Sequence, residues 1–331
     1  MNESAFSISV VIPFYNAREF VTQAVESALQ QPETGEVIVI EDGSPDGGIE
    51  ILKELETKYP KVRLLRHPDN ANHGAASSRN LGIQNARHAF IAFLDADDYY
   101  LPGRFTATSQ ILCNDPSIDG VYNAMGTYFE TAEDRKLFNQ TFLREITTVT
   151  KKIAPEKLFE EIIGLKSTAW YFHLNSLTVK KDLLYKVGLF NERLSPHEDT
   201  DMLFKLCAVG RLSPGDIENP VAIRRVHGAN RITHHIVDRR KHYQTDIETW
   251  DSIYSWGINN LNRKKQVLIS LRYIDRLRKS DYFPNHRFKD FKSSREKMVK
   301  LAMRYPEIIL NFWFWRLVIP SKSLIKRKDA I

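Results

Sequence analysis

The chain of 331 residues is long enough for one large α/β domain, or for a domain with a helical appendage. Its 42% hydrophobic and 27% charged residues are ordinary for a soluble globular protein. Two cysteines, Cys113 and Cys207, are too few for the disulfide framework of a small secreted protein, so we expect a cytoplasmic location.

The net charge of +6 is distributed unevenly along the chain. Residues 239–331 carry 22 Lys and Arg against 9 Asp and Glu, whereas residues 1–238 carry 25 against 32. We therefore predict a main domain over residues 1–238 and a basic, aromatic-rich helical extension over residues 239–331. A basic extension on an acidic body indicates an anionic partner, either a membrane surface or a nucleic acid.

The first 130 residues alternate between strand patterns and helix patterns. Compact apolar runs rich in β-branched residues predict buried strands at 7–14, 36–42, 62–67 and 89–95. Apolar residues at helical spacing, or clustered small residues, predict helices at 17–31, 47–60 and 74–86. This alternation is typical of βαβ units, so we predict an α/β fold with a mixed, mostly parallel sheet and helices on both faces.

The pattern changes after residue 119. Residues 119–138 are expected to form short strands arranged as a hairpin. Further patterns predict helices at 154–164 and 197–210, a strand followed by a helix at 175–190, and a last strand beginning at residue 221. Beyond Arg239 the sequence is typical of helices.

Three carboxylates, Asp95, Asp97 and Asp98, come at the end of the predicted strand 89–95. Like charges this close repel one another, and no basic residue lies among them in the sequence. A divalent cation that carries phosphates would balance them, because hard cations bind carboxylate oxygens. The alternative is a solvated acidic turn that caps the next helix.

Two other polar stretches also follow predicted parallel strands. Tyr15 and Asn16 come after the first strand, and Glu41–Ser44 ends the second. Ligands of such sheets bind at the carboxyl ends of the strands. We therefore expect these stretches and the three aspartates to line one cleft.

Five motifs together resemble the family-two glycosyltransferases, and the resemblance extends over roughly residues 7–228. They are SVVIPFYNAREFVTQAVESALQQ, VIVIEDGSPDGG, GAASSRNLGI, FLDADD and HEDTDMLFKL. The resemblance implies a GT-A (Rossmann-like) fold and an inverting enzyme that uses a nucleotide-activated sugar. One departure is EDGS at 41–44, where the family more often has two aspartates before Gly-Ser.

The resemblance also implies roles for single residues. Asp199 would be the general base that takes the proton of the acceptor hydroxyl, and Glu198 would orient the acceptor or support the loop. Asp97 would contact a divalent metal, Mn or Mg, together with His227. Asp42 would bind the base of the nucleotide, which we expect to be UDP. The other expected nucleotide-binding residues are Pro13, Tyr15, Asn16, Ser44, Arg79, Asp95 and Ala96.

Each of these assignments has a structural alternative. Asp42 can cap a helix, Arg79 can form an internal ion pair, and His227 can be structural. The acids at 198–199 can simply stabilise the dipole of the helix that they begin. For the whole chain, a sugar-nucleotide nucleotidyltransferase and a non-enzymatic binder of anionic polymers through the basic tail remain open.

The C-terminal segment combines apolar, aromatic and basic residues. Ten of the twelve residues from Ile308 to Ile319 are apolar, which is too short to span a bilayer but suits an interfacial helix. We therefore expect peripheral contact of residues 306–328 with the inner face of the cytoplasmic membrane. The acceptor would then be a saccharide or lipid-linked saccharide of surface polysaccharide or lipopolysaccharide biosynthesis, and no nucleic acid would bind. Packing on the catalytic domain or on a second subunit is the alternative.

Overall fold

In the computed structural model, the chain forms two units. The residues that it describes are 6–141, 145–149, 151–163, 172–228, 239–280 and 288–308. The first unit comprises Met1–Ile162 with Thr168–Val237, and the second comprises Ile163–Ser167 with Asp238–Ile331. Every residue that we predicted for the active site belongs to the first unit.

A sheet of seven strands, counted over the described residues, forms the centre of the first unit. Its strands are β1 (Ile8–Phe14), β2 (Thr34–Glu41), β3 (Val62–Arg66), β4 (Phe90–Phe93), β6 (Gly120–Tyr122), β8 (Leu177–Lys180) and β9 (Leu212–Pro214). Their order is β3-β2-β1-β4-β8-β6-β9. The first four are mutually parallel, β8 is antiparallel to both of its neighbours, and β9 is parallel to β6. The predicted mixed, mostly parallel sheet is therefore confirmed.

Helices cover both faces of this sheet. The helices described between β1 and β9 are α1 (Val21–Leu29), α2 (Gly48–Lys58), α3 (Gly74–Asn85), α4 (Thr106–Asn114), α5 (Ala132–Thr141), α6 (Pro155–Ile163), α7 (Lys181–Val187) and α8 (Glu198–Val209). Val10 and Ile12 of β1 share a buried cluster with α1 and α2. On the opposite face α3 lies so close to β1 that a Cβ on Gly82 would come within 2.5 Å of Val11.

A second, small sheet places a late strand beside the acidic loop. It contains β5 (Tyr99–Tyr100), β7 (Ala124–Phe129) and β10 (Pro220–Val226), in the order β5-β10-β7. β10 pairs antiparallel with β5 and parallel with β7. Because β5 directly follows Asp95–Asp98, the end of β10 comes close to those carboxylates.

The expected hairpin over residues 119–138 is wrong. β6 and β7 belong to different sheets, since the chain changes sheet at Asn123, whose N–H donates to the carbonyl of Ser176 at 3.0 Å. The next part is helix α5, which begins with a reciprocal cap. The Thr131 N–H donates to Asp134 at 3.1 Å, and the Asp134 N–H donates to the Thr131 hydroxyl at 3.1 Å.

The described part of the second unit is helical, as expected beyond Arg239. Its helices are α9 (Arg239–Asn260), α10 (Arg263–Ser280) and α11 (Phe288–Arg304). Trp250, Ile274 and Leu301, one from each helix, are buried. Among the helices that the structure describes, none has the length and apolarity to cross a membrane. Most of the predicted membrane-binding segment, from residue 309 onward, lies outside the described residues.

Candidate active site

The loops after β1, β2 and β4 meet at the carboxyl edge of the parallel strands. The ends of β1 and β2 are in register, with Phe14 opposite Glu41. The Asp42 N–H donates to the carbonyl of Phe14 at 3.0 Å, and the Leu94 N–H donates to that of Val11 at 3.1 Å. The three polar stretches therefore begin side by side, as the strand pattern predicts.

The loops after β1 and β2 are joined by hydrogen bonds. The backbone N–H of Asn16, at a φ of 51°, donates to the Ser44 hydroxyl at 2.8 Å. The Ser44 N–H in turn donates to the Glu41 carboxylate at 2.6 Å. Tyr15 is 47% exposed at this edge, and Pro13 is half-buried within β1. The structure thus brings together four of the predicted nucleotide-binding residues.

Asp42 holds the N-terminus of α3. Its two carboxylate oxygens accept the backbone N–H groups of His73 at 2.8 Å and Gly74 at 2.9 Å, and the residue is 2% exposed. A carboxylate at this position satisfies N–H groups that lack partners within the helix and stabilises the helix dipole. Asp42 therefore caps α3, which was its structural alternative. Its contact with a nucleotide base stays a prediction.

Arg79, on α3, joins two carboxylates from distant parts of the chain. Its guanidinium donates to Asp95 at 2.7 Å and to Glu198 at 3.1 Å, and the residue is 6% exposed. Burial works to lower the pKa of Arg79, but the charges of Asp95 and Glu198 outweigh it and raise the pKa. Arg79 thus forms the internal ion pair that was its structural alternative, and its contact with a nucleotide stays a prediction.

The acidic loop after β4 is less repulsive than the sequence suggests. Asp98 turns inward, is 3% exposed, and accepts hydrogen bonds from the Asn175 amide at 2.6 Å and the Arg225 N–H at 2.8 Å. Burial, followed by the charges of Asp97 and Asp95, raises the pKa of Asp98 well above its ordinary value. Arg79 and Arg225 supply the positive charge that the loop itself lacks.

Asp97 faces His227, which directly follows β10. The His227 Nε2 and Asp97 Oδ2 atoms are 3.3 Å apart, and the hydrogen bond raises the pKa of His227. The Asp97 side chain is 30% exposed, so a ligand can reach it. The side chain of Ala96, by contrast, is buried in the core cluster. Asp97 and His227 are thus the two predicted metal ligands, and the fold brings them together.

The acids at the start of α8 point to different partners. Glu198 is 4% exposed and is bound by Arg79, whereas Asp199 is half-buried. Asp199 Oδ1 accepts the Thr200 N–H at 2.7 Å, and its charge contributes to the raised pKa of Arg79. His197, at a φ of 82°, precedes the helix. The start of α8 therefore lies beside the acidic loop, with Arg79 between them.

The chain is similar in sequence to known proteins. The family described as Glycosyl transferase family 2 matches residues 9–168, which include the three loops and α3. A Haemophilus influenzae protein named as an uncharacterized glycosyltransferase is 25% identical over 92% of this chain and 98% of its own. Residues 9–168 belong to glycosyltransferase family 2, and the chain is a glycosyltransferase.

Two other relatives of this glycosyltransferase are matched over less of their length. The uncharacterized glycosyltransferase YibD of Escherichia coli is 33% identical over 58% of this chain and 55% of its own. The chondroitin synthase of Pasteurella multocida is 25% identical over 98% of this chain but 28% of its own. The glycosyltransferase thus spans about half of the first of these relatives and about a quarter of the second.

Solved structures confirm the GT-A type of fold. Staphylococcus aureus TarS 1-349 in complex with UDP-GlcNAc has a TM-score of 0.62 at 17% identity, covering 90% of this chain and 80% of its own. The mannosyltransferase PcManGT of Pyrobaculum calidifontis, in complex with GDP-Man and Mn²⁺, has a TM-score of 0.53 at 15% identity, covering 98% and 88%. Because the chain is a glycosyltransferase, it is an enzyme. The alternative of a non-enzymatic binder of anionic polymers is therefore rejected.

Sequence reasoning missed two residues next to the acidic loop of the glycosyltransferase. Asn175 is fully buried and donates to Asp98, and Arg225 binds both Asp97 and Asp98. Nothing in the sequence near Asn175 indicates this contact. Arg225 did carry a signal, because it lies two positions before His227 on a strand, where alternate residues share a side.

Proposed function

We propose that this glycosyltransferase moves a sugar from a UDP-sugar to an acceptor hydroxyl in a single inverting displacement. The observation that carries the proposal is the pair of bonds from Arg79, at 2.7 Å to Asp95 and 3.1 Å to Glu198. They connect the loop that would bind the donor with the helix that would face the acceptor. A single displacement needs a base on the side opposite the leaving diphosphate, so the two must be adjacent.

The nucleotide would be bound by the loops after β1, β2 and β4. We assign this role to Pro13, Tyr15, Asn16, Asp42, Ser44, Arg79, Asp95 and Ala96. Two structural neighbours bind UDP-GlcNAc and GDP-Man, which supports a nucleotide-sugar donor. We favour UDP because the neighbour that binds UDP-GlcNAc has the higher TM-score, 0.62 against 0.53.

A divalent metal, Mn or Mg, would be held by Asp97 and His227. Among the described residues, no three His, Cys, Asp or Glu side chains form a complete metal site. His227 Nε2 and Asp97 Oδ2 lie 3.3 Å apart. Two neighbouring ligand atoms nevertheless fit the kind of site in which substrate phosphates and water supply the other ligands. When bound, the metal would neutralise charge on the leaving diphosphate. The neighbour in complex with Mn²⁺ supports this assignment.

Asp199 would accept the proton of the attacking hydroxyl. Its Oδ1 accepts the N–H of Thr200 at 2.7 Å and lies 3.3 Å from that residue's hydroxyl, which orients the carboxylate. Oδ2 would then take the proton. Glu198 stays paired with Arg79 and holds the first turn of α8 against the acidic loop. The two neighbouring acids thus have different tasks.

The acceptor would be a saccharide or lipid-linked saccharide at the inner face of the cytoplasmic membrane. Residues 1–238 would form the catalytic domain, and the excess of 13 positive charges in residues 239–331 would attract anionic lipids. The segment 306–328 would provide the apolar contact. The likeness to a chondroitin synthase supports a role in the synthesis of a surface polysaccharide or lipopolysaccharide.

The test is transfer by purified full-length protein from a panel of UDP-sugars with Mn²⁺, with the anomeric configuration of the product read by NMR. Asp199→Asn should abolish transfer while UDP binding, measured by calorimetry, is retained. Asp182→Asn is a matched control, since Asp182 is an exposed acid in the first turn of another helix, α7. Transfer by Asp199→Asn within about tenfold of wild type, or a product with retained configuration, would refute the mechanism.

A further inference from the structure

Arg225 reaches the acidic loop from strand β10. Its Nε donates to the carbonyl of Asp97 at 3.1 Å, and its backbone N–H donates to the Asp98 carboxylate at 2.8 Å. His227, two positions further, lies 3.3 Å from the Asp97 carboxylate. Arg225 near the end of β10 and His227 just after it thus hold the backbone and the side chain of the same aspartate.

The guanidinium of Arg225 is itself held in place, and its side chain is 13% exposed. Its central carbon is 4.9 Å from the Phe20 ring, 5.6 Å from Tyr99 and 5.7 Å from Tyr128. One terminal nitrogen donates to Gln23, and the other lies 3.6 Å from the Glu130 carboxylate. The Phe20 ring also packs on His227, with centroids 4.8 Å apart. One aromatic side chain thus connects the arginine with the histidine.

We propose that Arg225 is a positioning residue for the metal and diphosphate site, and this rests on the function proposed above. By fixing the carbonyl of Asp97, it sets the direction in which the Asp97 carboxylate meets the His227 ring. Partners of this kind orient metal ligands and keep them basic, and their loss weakens metal affinity. Arg225 itself contacts neither the metal nor the sugar.

The geometry requires arginine rather than lysine. The planar guanidinium directs separate N–H groups to the Asp97 carbonyl and to Gln23 at the same time. A lysine ammonium keeps the charge but is a single centre, which cannot reach both partners from the same strand position. Arg225→Lys therefore removes the positioning and leaves the net charge unchanged.

The experiment compares UDP binding with Mn²⁺ and with a chelator, by calorimetry, for full-length wild type, Arg225→Lys and Arg224→Lys. For Arg225→Lys we expect the gain in UDP affinity from Mn²⁺ to fall by about 10–100-fold. Its UDP affinity in chelator should stay as in wild type, and circular dichroism should show that it is folded at the temperature of the assay. Arg224 is the matched control, because it lies on the same strand but stacks over Phe138, at 5.8 Å.

Two results would overturn the inference. In one, Mn²⁺ raises the UDP affinity of Arg225→Lys by as much as that of wild type. In the other, Arg225→Lys loses equal UDP affinity with Mn²⁺ and in chelator, which indicates a purely structural role. If Arg225→Lys does not fold, Gln23→Ala releases one guanidinium contact and should give a smaller loss of the same kind, and no loss would reject the inference. If Mn²⁺ does not raise the UDP affinity of wild type, the metal site proposed above is wrong. The role of Arg225 at that site is then rejected as well.

Discussion

Replacement of Arg79 by methionine should lower the free energy of unfolding by about 3–5 kcal/mol. The side chains of Arg79 and Glu198 are 7% and 6% exposed, so methionine leaves a buried carboxylate without the guanidinium that it is paired with. The Asp95 side chain is 31% exposed and can regain water, so it adds little to the loss. The magnitude therefore comes mainly from the charge of Glu198. Urea denaturation followed by circular dichroism measures it.

A second substitution separates the cost of burying the Glu198 charge without Arg79 from the cost of lost packing. The double variant Arg79→Met/Glu198→Gln removes both charges, so it should be more stable than Arg79→Met alone. Arg135→Met is the control, since Arg135 pairs with Glu145 on the surface and should change stability little. The reasoning is refuted if Arg79→Met costs less than about 1 kcal/mol, or if the double variant is no more stable than the single one.

Three further predictions concern stability. Gly82→Ala should cost about 1–3 kcal/mol in thermal unfolding, because the new Cβ would lie 2.5 Å from Val11. Burial works to raise the pKa of Glu36, but hydrogen bonds from a backbone N–H, a serine and an arginine outweigh it and lower the pKa. Stability from the ionised form is therefore lost as pH falls through that pKa, so Glu36→Gln should lower the melting temperature at neutral pH and progressively less in acid. Asn80→Ala should cost about 1–3 kcal/mol in urea denaturation, because its amide bonds both the N–H and the carbonyl of Phe190.

The parallel half of the sheet was predictable because its strands are continuous apolar runs. The predicted strand at 7–14 is β1, Ile8–Phe14, and all but one of its residues are fully buried. The short strands β5 and β9, of two and three residues, were missed because pairing with a neighbour defines them, and no local pattern does. The start of α5 was missed although Thr131 and Asp134 carry a capping signal, because the aromatic residues before it suggested strands.

The sequence predicted that the loops of the site meet at one edge of the sheet. It did not predict which charged side chains pair there. Strand ends locate Asp42 and Asp95 at one edge, since parallel strands end together. The charged partners of the acidic loop lie outside it in the sequence. Arg79 is 16 residues from Asp95 and 119 from Glu198, and Arg225 is 128 from Asp97. Such pairs leave no periodicity, so the sequence showed an uncompensated acidic loop where the fold supplies two arginines.

Helix α3 connects the two ends of the candidate site. Asp42 binds the N–H of Gly74 at its start, and Arg79 lies five residues further, about 7.5 Å along the helix axis. A helix of this length moves as one body, and Gly82 fixes it closely against β1. The Asp42 loop is therefore held in a fixed relation to Arg79 and to its partners Asp95 and Glu198. Under the proposed function, the position of the nucleotide base and the alignment of donor with acceptor would be controlled by the same rigid element.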